Sequence, residues 1–296
     1  MKRKQYFNTI SAITIALIVC SCGGDDDGGY SPSPTPTPTQ GSISVYATLN
    51  QFNSITLFDA PYENGDEISV FAITEAQRGV LLNQGNYADN VRYKYQNGQF
   101  VANGNAIKLN RSTSLAYYAI FPYRAQNCND MTFSVRSDQS TLSGYKASDL
   151  RTAYIPATTN TALNFQFYHS LSQVCANIIS DQVQSSDVSV KLYMQAQAQV
   201  NVTADTYPAT GETIPISTYY DTTTKCHFAI VPPQVMSISN TFMTILYKGE
   251  EYPVEFYNDI NFQSGAQYLL DINFKLESDG NYHAVVIKGQ INPWNK

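Results

Sequence analysis

The chain has 296 residues and three histidines, His169, His227 and His283. Cys226 and His227 are neighbours, the residue types of a thiol nucleophile and its base. On a strand, adjacent side chains point to opposite faces, so this pair is not expected to meet. No Gly-x-Ser-x-Gly elbow, phosphate loop or His-Glu-x-x-His stretch occurs. Zinc ligands come in closely spaced pairs, and none are present. The expectation is therefore no enzyme, no cofactor and no metal. Tyrosine is the residue type left with something to do. Of 22, Tyr87, Tyr93 and Tyr95, then Tyr219 and Tyr220, lie close in sequence. On a sheet surface they would stack on sugars or form a protein contact, and at sheet edges they would simply pack.

Cysteine carries a second kind of chemistry. Lys2, Arg3 and Lys4 precede an apolar run, Ile10 to Val19, which is too short to span a bilayer. It ends in Leu17-Ile18-Val19-Cys20-Ser21-Cys22, which resembles a bacterial lipobox. Cys22 is the expected acylated residue, with Cys20 the alternative. Residues 1–21 would be the signal peptide, and two or more acyl chains would hold the mature protein in an outer membrane. The acidic run Asp25, Asp26, Asp27 resembles the surface-export signal of Bacteroidetes lipoproteins. Ser31 to Thr39 alternates with proline, forcing polyproline II and a spacer of about 28 Å. Residues 22–41 read as a tether. Downstream, Cys128, Cys175 and Cys226 are an odd count that cannot all pair within one chain; three buried free thiols are expected, with Cys175–Cys226 as the alternative pair.

These side chains must be positioned by strands. Only 14% of residues are charged, 12% are aromatic and the net charge is −6. That balance excludes wholesale disorder, coiled coil and a nucleic-acid partner bound by charge. Period-two patterns recur from Ile43 onward. Ile55 to Phe58 reads as a strand, and Asn97-Gly98 reads as a hairpin turn. Leu115 to Phe121 is a near-continuous apolar run that should be a central strand, ended by Pro122. The one short helical candidate spans Lys146 to Ala153. The expected fold is all-β: two β-sandwiches in tandem, residues 42–160 and 161–296, each of ordinary domain size.

Several stretches resemble the fimbrillin family, Mfa-like branch, subunits of type V pili of Bacteroidia. They are Gly65-Asp66-Glu67-Ile68-Ser69-Val70-Phe71-Ala72, Ala116 to Tyr123, Ser148-Asp149-Leu150-Arg151-Thr152-Ala153 after Asp138-Gln139-Ser140, Phe165 to Val174, Ile230-Val231-Pro232-Pro233-Gln234, Gly265-Ala266-Gln267-Tyr268 and the closing Ile291-Asn292-Pro293-Trp294. The resemblance implies transthyretin-like sandwiches, a structural and adhesive role, and assembly by a strand donated between subunits. Implied partners are other pilus subunits, the outer membrane through the lipid, and a host or bacterial surface ligand. Polymerising members are cut after an early Arg or Lys. Here none lies between Lys4 and Arg78, which favours an anchor, tip or accessory subunit over a cleaved stalk subunit. The alternative is a glycan-binding surface lipoprotein for nutrient uptake. Trp294 is expected either to pack on a sandwich or to lie in an exchanged strand.

Overall fold

A computed structural model describes residues 41–49, 62–77, 79–109 and 113–294. The expected lipidation at Cys22 or Cys20, the export signal Asp25–Asp27, the tether and the strand at Ile55 to Phe58 lie outside the described residues.

Seven strands close into a barrel. Their order is Ala162–His169, Ser44–Leu49, Gln99–Ala102, Ala88–Gln96, Glu67–Thr74, Leu115–Phe121 and Arg151–Thr158. The ring is completed by Tyr168↔Thr152 and His169↔Arg151. All pairings are antiparallel except that of Ser44–Leu49 with Ala162–His169. The turn expected at Asn97-Gly98 forms between two of these strands, both residues at positive φ (51° and 92°), which is why Asn-Gly suits it.

Leu115–Phe121 is buried at every position, for a reason the apolar run alone does not reveal. Leu115, Tyr117, Ala119 and Phe121 fill the barrel, while Ala116, Tyr118 and Ile120 belong to a second core. Its neighbour Glu67–Thr74 is divided the same way, with Ile68, Val70 and Ala72 inward and Phe71 and Ile73 outward. Two barrel strands are thus shared walls.

The second core lies inside a ten-stranded sheet. Along its path run Ala209–Ser217, Ser189–Asn201, Met243–Tyr247, Glu250–Glu255, Tyr282–Pro293, Ala266–Leu276, Ser172–Ile179, Cys226–Val231 and Tyr219–Asp221. Asp130–Ser134 joins it on Ser189–Asn201. The path bends at a seam of two residue pairs, Val254↔Ala284 and Glu255↔Val285. Beyond the seam the sheet curls, so that Ser189–Asn201 comes against Cys226–Val231 without pairing to it.

The all-β expectation holds, as two β-domains, but the first is a closed barrel and the second one curled sheet instead of two sandwiches. Strand alternation is the same in either case; what differs is whether end strands find each other. The expected change of sheet near residue 160 falls after His169, because Ala162–His169 is the strand that closes the barrel. The helix is Leu142–Ser148, with Arg151–Thr158 a strand. Thr141 caps it, its hydroxyl accepting from the Gly144 N–H at 3.1 Å. Any Cβ at Gly144 would run into the Asp138 carbonyl. No helix among the described residues is long and apolar enough to cross a membrane.

Candidate functional site: a strand groove and the joint beside it

Ser44–Leu49 is held unevenly along its two edges. Along one edge it pairs with Ala162–His169 over six residues, Ser44↔Ala162 to Leu49↔Phe167. Along the other it pairs with Gln99–Ala102 at Val45↔Phe100 alone. Its alternation decides how it sits. Ile43 and Val45 are buried, Ala47 and Leu49 half-buried, and Ser44, Tyr46 and Thr48 exposed. The inward residues lie beside Leu163, Phe165 and Phe167 of the paired strand and share one apolar core with Phe100 and Tyr62. Burying one such aliphatic side chain is worth about 1.5–3 kcal/mol, so apolar contact holds this strand as much as main-chain bonding.

At the C-terminal end of the groove, Ala162–His169 runs into a buried polar joint. The Arg151 guanidinium contacts Asp149 Oδ2 at 2.6–2.7 Å, and His169 Nδ1 lies 2.6 Å from Asp149 Oδ1. All three are at most 5% exposed. Burial alone would raise the Asp149 carboxyl, but Arg151 and His169 beside it hold it below the usual carboxylate range. Burial lowers the pKa of His169 despite Asp149. The imidazole is therefore neutral at pH 7, with Nδ1–H donating, and the ion pair is Asp149 with Arg151. The Arg151 guanidinium lies 4.8 Å from the Phe121 ring centre. Trp294 stacks on His169, ring centres 3.6 Å apart at 5°, and its backbone N–H donates to the Gly265 carbonyl at 2.8 Å. Trp294 thus packs at the joint, 5% exposed.

Amides and hydroxyls complete the joint. The buried Gln139 side chain bonds the Ile230 backbone twice, donating to its C=O and accepting from its N–H, each at 2.8 Å. Gln267 donates to Gln173, which donates to the Tyr145 hydroxyl. Thr152 Oγ1 lies 3.0 Å from both the Ser170 and Tyr207 hydroxyls. Stretches far apart in sequence, around 139, 149–152, 169–173, 265–267 and 294, converge here. Its groups are buried and mutually bonded, and what the arrangement does is fix barrel, helix and sheet to one another.

The remaining candidates are dispersed. His227 pairs in register with Ala176 and Tyr220, and Cys226 with Asn177 and Asp221, so the neighbours do face opposite ways. Burial lowers His227 to about 4, and its Nε2 lies 3.0 Å from the Ser185 carbonyl. All three thiols are free; Cys175 and Cys226 are buried and Cys128 is half-buried. His283 is half-exposed, 2.9 Å from Asp279. Among the described residues no group of three His, Cys, Asp or Glu could hold a metal ion.

The sequence-adjacent tyrosines do not form one surface. Tyr93 is buried, its hydroxyl accepting from the Ile107 N–H at 3.2 Å. Tyr95 packs on Tyr62 and Phe100, Tyr219 on Tyr145, and Tyr220 on His227. Tyr87 is 40% exposed. A tyrosine-rich aromatic cluster, Tyr247, Tyr252 and Tyr282 around Phe274, joins rings 5.0–5.9 Å apart. Its members are scattered in sequence, and only strand register brings them together.

The geometry has parallels among known proteins. The structure is similar to that of a candidate cell adhesion protein from Bacteroides uniformis ATCC 8492, with a TM-score of 0.61 and 21% identity, covering 88% of this chain and 100% of that one. It is similar to another from Bacteroides ovatus ATCC 8483, with a TM-score of 0.65 and 15% identity, covering 87% and 99%. At these identities the likeness shows a shared fold. Comparison with curated proteins gives no match. The fimbrillin-like family matches residues 55–294, a span that takes in the joint and all of the barrel but its first strand, and the chain therefore belongs to the fimbrillin-like family of structural, non-enzymatic proteins.

Proposed function

We infer that the protein is a fimbrial subunit at the cell surface, held to the outer membrane by lipid at Cys22 and joined to neighbouring subunits by strand exchange. The observation that carries this is Ser44–Leu49, a short strand fully paired along one edge only, with its inward side chains in the apolar core of the barrel. Its departure would leave a groove that a strand from another subunit could enter, with main-chain bonds giving affinity and alternate side chains giving register.

Within a fimbrium the chain is better suited to an anchor, tip or accessory position than to a cleaved stalk. The first basic residue after Lys4 is Arg78. A cut there would remove Glu67–Thr74 along with Ser44–Leu49. Glu67–Thr74 lies between Ala88–Gln96 and Leu115–Phe121 and serves both cores, so its loss would take a wall and not a plug.

Mass spectrometry of protein extracted from outer membranes tests this directly. The expected mature N-terminus is acylated Cys22, and a start at Gly79 would overturn it. Deletion of the gene should remove or shorten surface fimbriae. A strictly monomeric protein whose deletion leaves fimbriae intact would reject the subunit role.

A further inference from the structure

Where the first strand of the barrel meets the last, the outer face is built from uncharged residues. Ser44–Leu49 and Ala162–His169 run parallel, with Tyr46 beside Asn164 and Thr48 beside Gln166. Their alternates Val45, Leu163, Phe165 and Phe167 fill the barrel, so Tyr46, Thr48, Asn164 and Gln166 point outward. All four are exposed. On the other side of Ser44–Leu49, Phe100 pairs with Val45 and points inward, which turns Gln99 and Val101 outward on the same face. None of these outward residues is charged. Other strands carry charge outward, as in the Arg92–Glu67 and Lys191–Glu251 pairs.

Tyr46 is 39% exposed. Its neighbours Gln99, Asn164 and Gln166 make no side-chain hydrogen bond among the described residues. Elsewhere such amides are engaged: Gln199 donates to Asp130 and Gln195 to the Gly211 carbonyl, each at 2.7 Å. The face therefore offers an aromatic ring with unspent amides beside it, each with one acceptor oxygen and two donor hydrogens. A neutral ring rich in hydroxyls matches that combination. Its C–H face can lie on the phenol ring, and its hydroxyls, which both donate and accept, can pair with amides. A charged ligand would find no counter-charge here. Size argues against a protein partner. Three strands about 4.8 Å apart, over five residues of about 3.3 Å each, cover roughly 200 Å². A stable protein interface buries about 800 Å² per partner.

We propose that this face binds a neutral hexopyranose chain, with one ring stacked on Tyr46 and its hydroxyls paired with the amides of Asn164, Gln166 and Gln99. Pyranoses with equatorial hydroxyls fit best, because their ring faces present only C–H groups. The inference does not rest on strand exchange. It requires only that Ser44–Leu49 occupy its place in the barrel.

The test is titration of the mature chain with cellotriose, followed by amide NMR. Binding should occur with a Kd on the order of 1 mM, with shifts confined to residues 44–48, 99–101 and 162–168. Tyr46→Ala should weaken it at least about tenfold, through loss of the stacking surface. Tyr46→Phe should preserve it, since the ring and not the hydroxyl is used. Tyr87→Ala, which removes a tyrosine of similar exposure elsewhere on the barrel, should leave it unchanged. Asn164→Ala and Gln166→Ala should each weaken it about two- to tenfold, the worth of one hydrogen bond. Melting temperatures of the Asn164 and Gln166 variants should stay at that of the unsubstituted chain, because the side chains removed are exposed and unbonded. Absence of cellotriose binding would overturn the proposal, as would binding that Tyr46→Ala and Tyr87→Ala weaken alike. Shifts of the same residues on concentrating the chain without sugar would overturn it in favour of contact with a second copy.

Discussion

The barrel and the curled sheet bury their strands in different ways. In the sheet, Tyr282–Pro293 is bonded to Ala266–Leu276 at eleven positions, held by the seam at Val254 and Glu255, and pinned at its end by Trp294 on His169. In the barrel, Ser44–Leu49 serves one core through one full edge and a single residue of the other. Glu67–Thr74 and Leu115–Phe121 serve both cores at once. A strand is removable where it contributes to one core only, is fully paired along a single edge and comes first among the strands of its barrel. By that measure the first strand is the exchangeable part, and the shared strands and the joint are the frame that must survive the exchange.

The sharpest way to break the comparison is at the joint. Arg151→Met would leave Asp149 buried without its cation, and breaking a buried pair costs about 3–5 kcal/mol. The loss should appear as a lower denaturant midpoint for barrel and sheet together, since the joint holds both. The double variant Arg151→Met with Asp149→Leu should recover much of that loss, because no uncompensated charge remains. Were the barrel alone to soften, the joint would not be the shared element argued here.

Acid should act next, and mainly on the sheet side. His227 has a folded pKa of about 4 against about 6.5 when unfolded. A lowered histidine contributes stability that is complete above pH 6.5 and is lost as pH falls toward 4. The loss amounts to about 3 kcal/mol at about 1.4 kcal/mol per pH step. His169 is lowered as well, so it works in the same direction. His227→Gln should flatten the stability profile between pH 6.5 and 4 without removing the decline due to His169. A profile unchanged by that substitution would exclude His227 as the source.

Local periodicity made the strands legible, but not their closure. Leu115 to Phe121 could be read as central because both faces are apolar, yet which core takes which face depends on the curled sheet covering the barrel. Arg151–Thr158 does not read as a strand, since its Arg151 and Thr152 are buried polar groups whose partners include Asp149, Ser170 and Tyr207. The stretches of the family resemblance contained Asp149, Arg151, His169, Gln267 and Trp294 without any sign that they meet, because the residues joined are separated by up to half the chain. Local spacing cannot report such contacts; only the register of the closing strands does. The same holds for Tyr247, Tyr252 and Tyr282, which no local pattern singles out.

The smallest expected effect bears most directly on function. Val45→Ala deletes two buried methyl groups from the first strand, worth about 1–2 kcal/mol. If Ser44–Leu49 opens by itself, that cost falls on local opening and not on the whole fold. Hydrogen exchange should then show the amides of residues 44–49 exchanging faster in the variant, by about tenfold for each 1.4 kcal/mol, while those of Leu115–Phe121 keep their rates. The matching change in the other region, Val286→Ala in Tyr282–Pro293, should instead leave the relative protection of its strand intact, because eleven paired positions and the Trp294 contact hold it. Equal acceleration throughout the barrel in Val45→Ala would show that the first strand opens only with global unfolding. A strand that cannot leave without unfolding its own barrel cannot be exchanged with a neighbour at rest, so this measurement decides whether the groove is a site for a donated strand or only the last closure of a barrel.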